Sequence, residues 1–394
     1  MKKLFVFSCF FSLSLITGNA QITLHTNQVE RFHELMKYLE EKAGGKLNCN
    51  HANETELQAA YSKNASDVMQ KSLIDSLLSL GVYVPEIIGN VKTHFTEAKG
   101  KEAYRVAFTI LPDYCLVMTA DLPSRWVDYW NSEDRQRIDS AITELKANKN
   151  EIIENIKIEC KALLPADADM NFNIEIYIFV DGNRGAYQDG NKITIDAPDI
   201  INLQTFIPSL KHEMHHAYYR KWFAEKTSNK KRNEVESYLY EYQQHFIFEG
   251  IAQRFDYETS YVDDYKKMYA NKELIAELFD EWINLFRESK GESAQTVISM
   301  YQETEYEKAI ERGKKYYPGN NKSQYVNAYA RYFLGYHVYN SIFEVAGQEK
   351  LKYVIENPDK LLSVYNEIYT DSMIVPRIPE DIVILWKENL EITD

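Results

Sequence analysis

The chain has little cysteine. Four occur in 394 residues, and none forms a Cys-x-x-Cys pair. Cys9 falls in an N-terminal apolar run. Cys49, Cys115 and Cys160 can close one bridge at most, which excludes a disulfide-built scaffold. Positive charge is also in deficit, with 45 Lys and Arg against 59 Asp and Glu, a formal net charge of -14. Such a chain is a poor partner for nucleic acid or an anionic membrane. Past the N-terminus no apolar run approaches the roughly 20 residues needed to cross a bilayer. There is no internal repeat and no low-complexity tract. Histidine is scarce as well, only 9 residues.

The N-terminus does have a pattern. Lys2 and Lys3 precede the apolar run "LFVFSCFFSLSLI", and Thr17-Gly18-Asn19-Ala20 follows. That is the layout of a secretory signal peptide. Cleavage after Ala20 is expected, so residues 1–20 are excluded from the fold and the protein is expected to be exported, to the periplasm or beyond. Loss of the two lysines leaves 43 basic against 59 acidic groups, a net charge of -16. The mature chain is long enough for two or three domain-sized units.

Residues 21–165 read as a mainly helical region. Helices are expected from Asn27 to Gly44-Gly45, from Ser66 to Leu80, and over 134–163 with a break near Asn148–Asn150. A boundary is expected at "ALLPADAD", 162–169, and the texture changes there. "NIEIYIFV" (173–180) and "KITIDA" (192–197) are β-branched and read as strands around the turn-rich 181–191. Beyond them helical periodicity dominates, over about 233–257, 262–289, 293–314, 322–346, 348–356 and 359–369. The fold class is α+β with helices in the majority, and 166–394 is the expected catalytic unit.

Three of the nine histidines crowd into "SLKHEMHHAYYR", residues 209–220. On a helix His212 and His216 are four apart and share a face, so their imidazoles can converge on one ion. Glu213 is offset by about 100° and can reach a water on that ion without binding the metal itself. This is the His-Glu-x-x-His pattern of zinc hydrolases. A catalytic zinc takes three protein ligands and keeps one position open. The eleven-residue extension is ruled out, because Tyr219 and Trp222 occupy its glycine and histidine places. The next helix opens with Asn233 and Glu236 as a capping box and carries Phe248-Glu249-Gly250-Ile251-Ala252. A carboxylate in an apolar run is costly to bury unless it is paired or bound to metal. Gly250 beside it permits close approach of another backbone or a ligand. Two antiparallel helices would bring Glu249 beside the histidine pair.

"HEMHHA", with Glu249 of "FEGIAQ" 33 residues after His216, resembles the gluzincin zinc metallopeptidases. Within them it is closest to the secreted peptidase-MA-like groups, over roughly 170–350. The resemblance implies a zincin-like domain in which His212, His216 and Glu249 hold one zinc ion and Glu213 is the general base. Many members have an aspartate four residues after the ligand glutamate, as partner to a ligand histidine; this chain has Gln253. The resemblance also implies a sheet edge on which an extended peptide or protein substrate pairs, expected near Gly185-Ala186. Tyr325, Tyr329, Tyr332 and Tyr336 share a helical face, as either an aromatic core stripe or a source of oxyanion donors. Tyr332 and Tyr336, flanking Gly335, are the candidates for that second role. His215 is expected to pack or hydrogen-bond behind the site, and His245, one turn before Glu249, to stand beside it.

The expected activity is zinc-dependent hydrolysis of a peptide bond. The alternatives are an inactive binding protein on the same fold and a zinc amidohydrolase with a non-peptide substrate. Elemental analysis of the purified mature chain is predicted to find about one zinc per molecule, lost in His216→Ala. Wild-type protein free of zinc would count against the zinc-hydrolase readings and favour the inactive binding or scaffold protein.

Overall fold

The computed structural model describes residues 21–26, 29, 33, 37 and 129–390, apart from 180–185, 201–202, 228–230, 260–262, 291 and 317–327. Val29, His33 and Lys37 are helical. The rest of that first expected helix, the one over Ser66–Leu80, and Cys49, Cys115, Gly185 and Tyr325 lie outside the described residues.

Among the described residues four strands form one sheet, in the order β1 (Ile22–His25), β2 (Ile174–Phe179), β4 (Lys192–Asp196), β3 (Ala186–Asp189). β1 and β4 each run parallel to β2, with Ile22 opposite Ile174 and Ile176 opposite Ile193. β3 returns antiparallel to β4, pairing Ala186 with Ile195 and Asp189 with Lys192. The turn at its end uses Gly190 at φ 57°, a conformation that suits glycine. Among the described residues, β3 is an edge of the sheet. The core strands are isoleucine-rich, with Ile174, Ile176, Ile178, Ile193 and Ile195 all buried.

Among the described residues ten α-helices have assigned bounds, numbered here in chain order. They are α1 (Arg135–Ala162), α2 (Leu203–Thr227), α3 (Glu234–Thr259), α4 (Asp263–Tyr269), α5 (Lys272–Glu288), α6 (Ala294–Gln302), α7 (Lys308–Tyr316), α8 (Ala330–Glu356), α9 (Leu361–Ile368) and α10 (Glu380–Leu390). α1 runs unbroken through Asn148–Asn150. Asparagine costs a helix only a few tenths of a kcal/mol, and Ile138, Ile142, Leu145, Ile153 and Ile156 keep one face buried across those positions. The single helix expected over 262–289 is two. Asn271 divides it, because its side chain accepts from the backbone N–H of Glu273 and Leu274 and caps α5. α8 is interrupted at Gly347, φ 81° and ψ 178°, where the expected stretches 322–346 and 348–356 part, and it begins at Ala330; residues 322–327 lie outside the described residues. β1 and α10 are elements the sequence pattern did not reveal.

α2 and α3 are the two central helices. Residues 212–219 of α2 are all buried, so that stretch has no solvent face. α1 and the sheet cover one side of α2, and α3 lies antiparallel on another. β1 and α1, from before residue 165, therefore share a sheet and a core with β2 and α2, from beyond it. α3 opens on a reciprocal capping box. Asn233 N–H donates to the Glu236 carboxylate, and Glu236 N–H to Asn233 Oδ1, each at 2.9 Å. On its far side α3 packs against α8, and α10 is tied to α3 through Asn389 and Gln243.

The α3–α8 crossing is a contact of backbones. A Cβ at Gly250 would sit 2.7 Å from Gly335 Cα, and one at Gly335 would sit 2.7 Å from Gly250 Cα and 2.9 Å from the Phe246 carbonyl oxygen. Neither neighbour is a flexible side-chain end. The start of α8 is held by Arg312 of α7. Its guanidinium donates to the Ala328 and Thr304 carbonyls and pairs with Glu281 of α5. Gly335→Ala is predicted to destabilise the protein by about 1–3 kcal/mol through overpacking. A urea titration reads this as a lowered midpoint; an unchanged midpoint would refute the close crossing.

Candidate metal centre

The antiparallel pairing of α2 and α3 brings His212, His216 and Glu249 together, with one donor atom of each within 4.8 Å of the others. The two imidazole rings stand edge to face, centroids 4.5 Å apart at 89°. Glu249 Oε2 accepts from His212 Nε2 at 3.0 Å and from His216 Nε2 at 3.2 Å. All three side chains are buried. Two donors bound to one tetrahedral zinc at about 2.0–2.2 Å lie roughly 3.3–3.5 Å from each other. The observed spacings are close to that, and two neutral imidazoles with one carboxylate are a zinc donor set. The residues present therefore fit the ion. Gly250, next to Glu249, is what lets α8 close over this part of α3.

The carboxylate expected at 253 comes instead from Asp256, two turns beyond Glu249 on the same face of α3. Its Oδ2 lies 2.7 Å from His212 Nδ1. The nitrogen has no well-directed hydrogen bond, so the contact is chiefly ionic. Gln253 braces it, donating to Asp256 Oδ2 at 3.2 Å while accepting from the Tyr269 hydroxyl at 2.6 Å. The spacing of seven between Glu249 and Asp256 was visible in the sequence. What pointed elsewhere was the family spacing of four. His216 is held less firmly, its Nδ1 being buried with no partner.

His215 faces away from the cluster and hydrogen-bonds the Leu163 carbonyl oxygen through Nε2 at 2.9 Å, fastening α2 to the end of α1. His245 meets the Tyr301 hydroxyl at 3.1 Å. Tyr336 is buried, its ring 4.6 Å from that of Tyr257 and 4.9 Å from that of Tyr269. Tyr332 is partly buried against Tyr329, centroids 5.3 Å apart. The two flank Gly335, which crosses Gly250, the residue after Glu249.

Electrostatics distinguish the two histidines. Burial alone would strip the proton from His212, but the Asp256 and then the Glu249 carboxylate outweigh it and hold its pKa well above the ordinary value. His216, which faces Glu249 but not Asp256, is pushed down to about 3, chiefly by burial, the Glu249 carboxylate opposing it. Burial also opposes ionisation of Glu249, yet His216 and His212 hold it well below the usual carboxylate range. Glu213 is buried beside them, and burial, reinforced by the Glu249 charge, pushes it up to about 8.

What fold and site define is a helix-dominated α+β protein with a buried His–His–Glu cluster, able to hold a metal ion, between two helices. The chain belongs to the family described as "Putative zinc dependent peptidase (DUF5700)", which matches residues 75–372. Neither the curated proteins nor the solved structures offer a match to it. Among the described residues no helix is long and apolar enough to cross a membrane.

Metal uptake must displace the His212 proton, so zinc affinity is predicted to rise with pH throughout the range below the raised His212 pKa and to level off above it. Calorimetry near pH 7, in buffers of different ionisation enthalpy, should detect proton release on zinc binding. Asp256→Asn should weaken zinc binding about 10–100-fold and shift the rise to lower pH. An unchanged affinity and profile would remove Asp256 from the site.

Proposed function

We propose that the protein is an exported zinc peptidase of the gluzincin type, in which Glu213 is the general base. The observation that carries this reading is the buried Glu213 carboxyl beside the His212–His216–Glu249 cluster, on the same helix as both histidines. His212, His216 and Glu249 would hold the zinc ion, which would supply Lewis acidity to a water and the scissile carbonyl and positive charge that favours ionised Glu213. Glu213 accepts the proton of the attacking water and passes it to the leaving amine, so no covalent intermediate with the protein is needed.

The remaining roles follow from what surrounds the cluster. β3, packed against α2 and an edge of the sheet among the described residues, would take an extended peptide along its outer side. The substrate chain would lie along Ala186–Asp189 with its scissile bond over the cluster. Tyr332 and Tyr336 flank the crossing of α8 with α3. A hydroxyl from that face donates to the oxyanion as the carbonyl carbon becomes tetrahedral. The N-terminal leader supports export.

Glu213→Gln keeps the shape of the side chain and removes its basicity. The variant is expected to bind zinc like wild type and to lose about 10²–10⁴ in kcat/KM. Cleavage of a broad peptide library, read by mass spectrometry, checks this. Equal cleavage by both proteins would remove Glu213 as the base. Zinc-loaded wild type that cleaves no peptide would favour the inactive binding protein or the non-peptide amidohydrolase.

A further inference from the structure

Arg220 has surroundings that a structural arginine in this protein does not. It lies four residues beyond His216 and seven beyond Glu213, on the face of α2 that carries the metal centre. Its NH1 donates to Gln188 Oε1 of β3 at 2.9 Å, a neutral amide. Its guanidinium stands 5.4 Å from the centre of the Phe248 ring, beside Glu249 in sequence. The Nε is buried and has no acceptor, while the side chain as a whole is partly exposed. Arg312 shows the contrast. It is fully buried, and its guanidinium is taken up by a carboxylate and two carbonyl oxygens. Arg287 likewise holds Asp381 through two nitrogens. Arginine presents five N–H donors in a fork that matches a carboxylate.

His245, one turn before Glu249 on α3, meets the Tyr301 hydroxyl. Arg220 stands at one end of the cluster, one turn of α2 beyond His216. One turn of helix advances about 5.4 Å, the length of one to two residues of extended chain at about 3.3–3.6 Å each. Because Arg220 is bonded to the edge strand, a peptide lying along β3 passes it.

We propose that Arg220 is the substrate-carboxylate receptor of this centre. It selects peptides that carry a carboxylate one or two residues from the scissile bond, either an acidic side chain or the peptide's own C-terminus. The inference rests on the peptidase reading above. Bound carboxylate would supply the charged acceptor that Gln188 does not, and a charge-assisted pair sheltered from water discriminates against a neutral isostere.

The test compares zinc-loaded wild type, Arg220→Gln and Arg220→Lys, each first checked for zinc content and thermal unfolding. Substrates are matched peptides with Glu or Gln at each position near the cut, and with a free or amidated C-terminus. Wild type is expected to prefer the carboxylate member of at least one pair by about 10–100-fold in kcat/KM. Arg220→Gln should bring that ratio close to one, mainly through KM, and Arg220→Lys should restore part of it. The Glu/Gln pairs and the acid/amide pairs show which carboxylate is read.

Absence of discrimination in wild type overturns the proposal. So does a uniform loss of kcat in Arg220→Gln with the ratio intact, which is what a strut between α2 and β3 would give. If no peptide is cut, titration calorimetry of the same pairs decides separately. Tighter binding of the acid that is lost in Arg220→Gln upholds the receptor while the peptidase reading fails. Equal binding of acid and amide refutes both.

Discussion

A carboxylate placed in the interior of a helical protein has to be compensated, and Glu249 is that carboxylate. Its oxygen sits between two imidazoles at hydrogen-bond distance, with almost no water access. Desolvating a charge costs several kcal/mol, and removing one partner of such a group is strongly destabilising. The pairing of α2 with α3, their antiparallel direction and their register are all tied to this one meeting of side chains. The same concentration of donors makes the place suitable for a divalent cation.

The supports of the centre are arranged around it in layers. His215 fastens α2 to the end of α1. Asp256 stands against His212, with Gln253 and Tyr269 behind it. Gly250 and Gly335 let α8 approach α3 until backbones touch, and Arg312 fixes where α8 begins. Each of these contacts sets position rather than chemistry. A ligand set spread over two helices needs such bracing, because a shift of a few tenths of an ångström in either helix changes the ligand distances.

Much of the site was legible because its signals are local. His212, Glu213 and His216 lie on one helix at a spacing of four, and the capping box at Asn233–Glu236 announces the start of the next. Glu249-Gly250 combined an expensive residue with a permissive one. The less legible parts depended on partners distant in sequence. β1 is four residues whose strand character comes from pairing with β2, some 150 residues away. α1 continues past Asn148–Asn150 because its buried face outweighs a weak local preference. Asp256 is an ordinary helix residue until α2 arrives opposite it.

The sequence by itself determined the composition of the centre and the helices that carry it. Helical periodicity and ligand spacing are properties of neighbouring residues, so they can be read without knowing the fold. Tertiary structure decided which carboxylate meets His212, which backbone fills the gap left by Gly250, and which strand lies at the sheet edge beside Arg220. Those outcomes depend on the register between elements far apart in the chain. Register is set by the packing of whole faces, and no short stretch of sequence contains it.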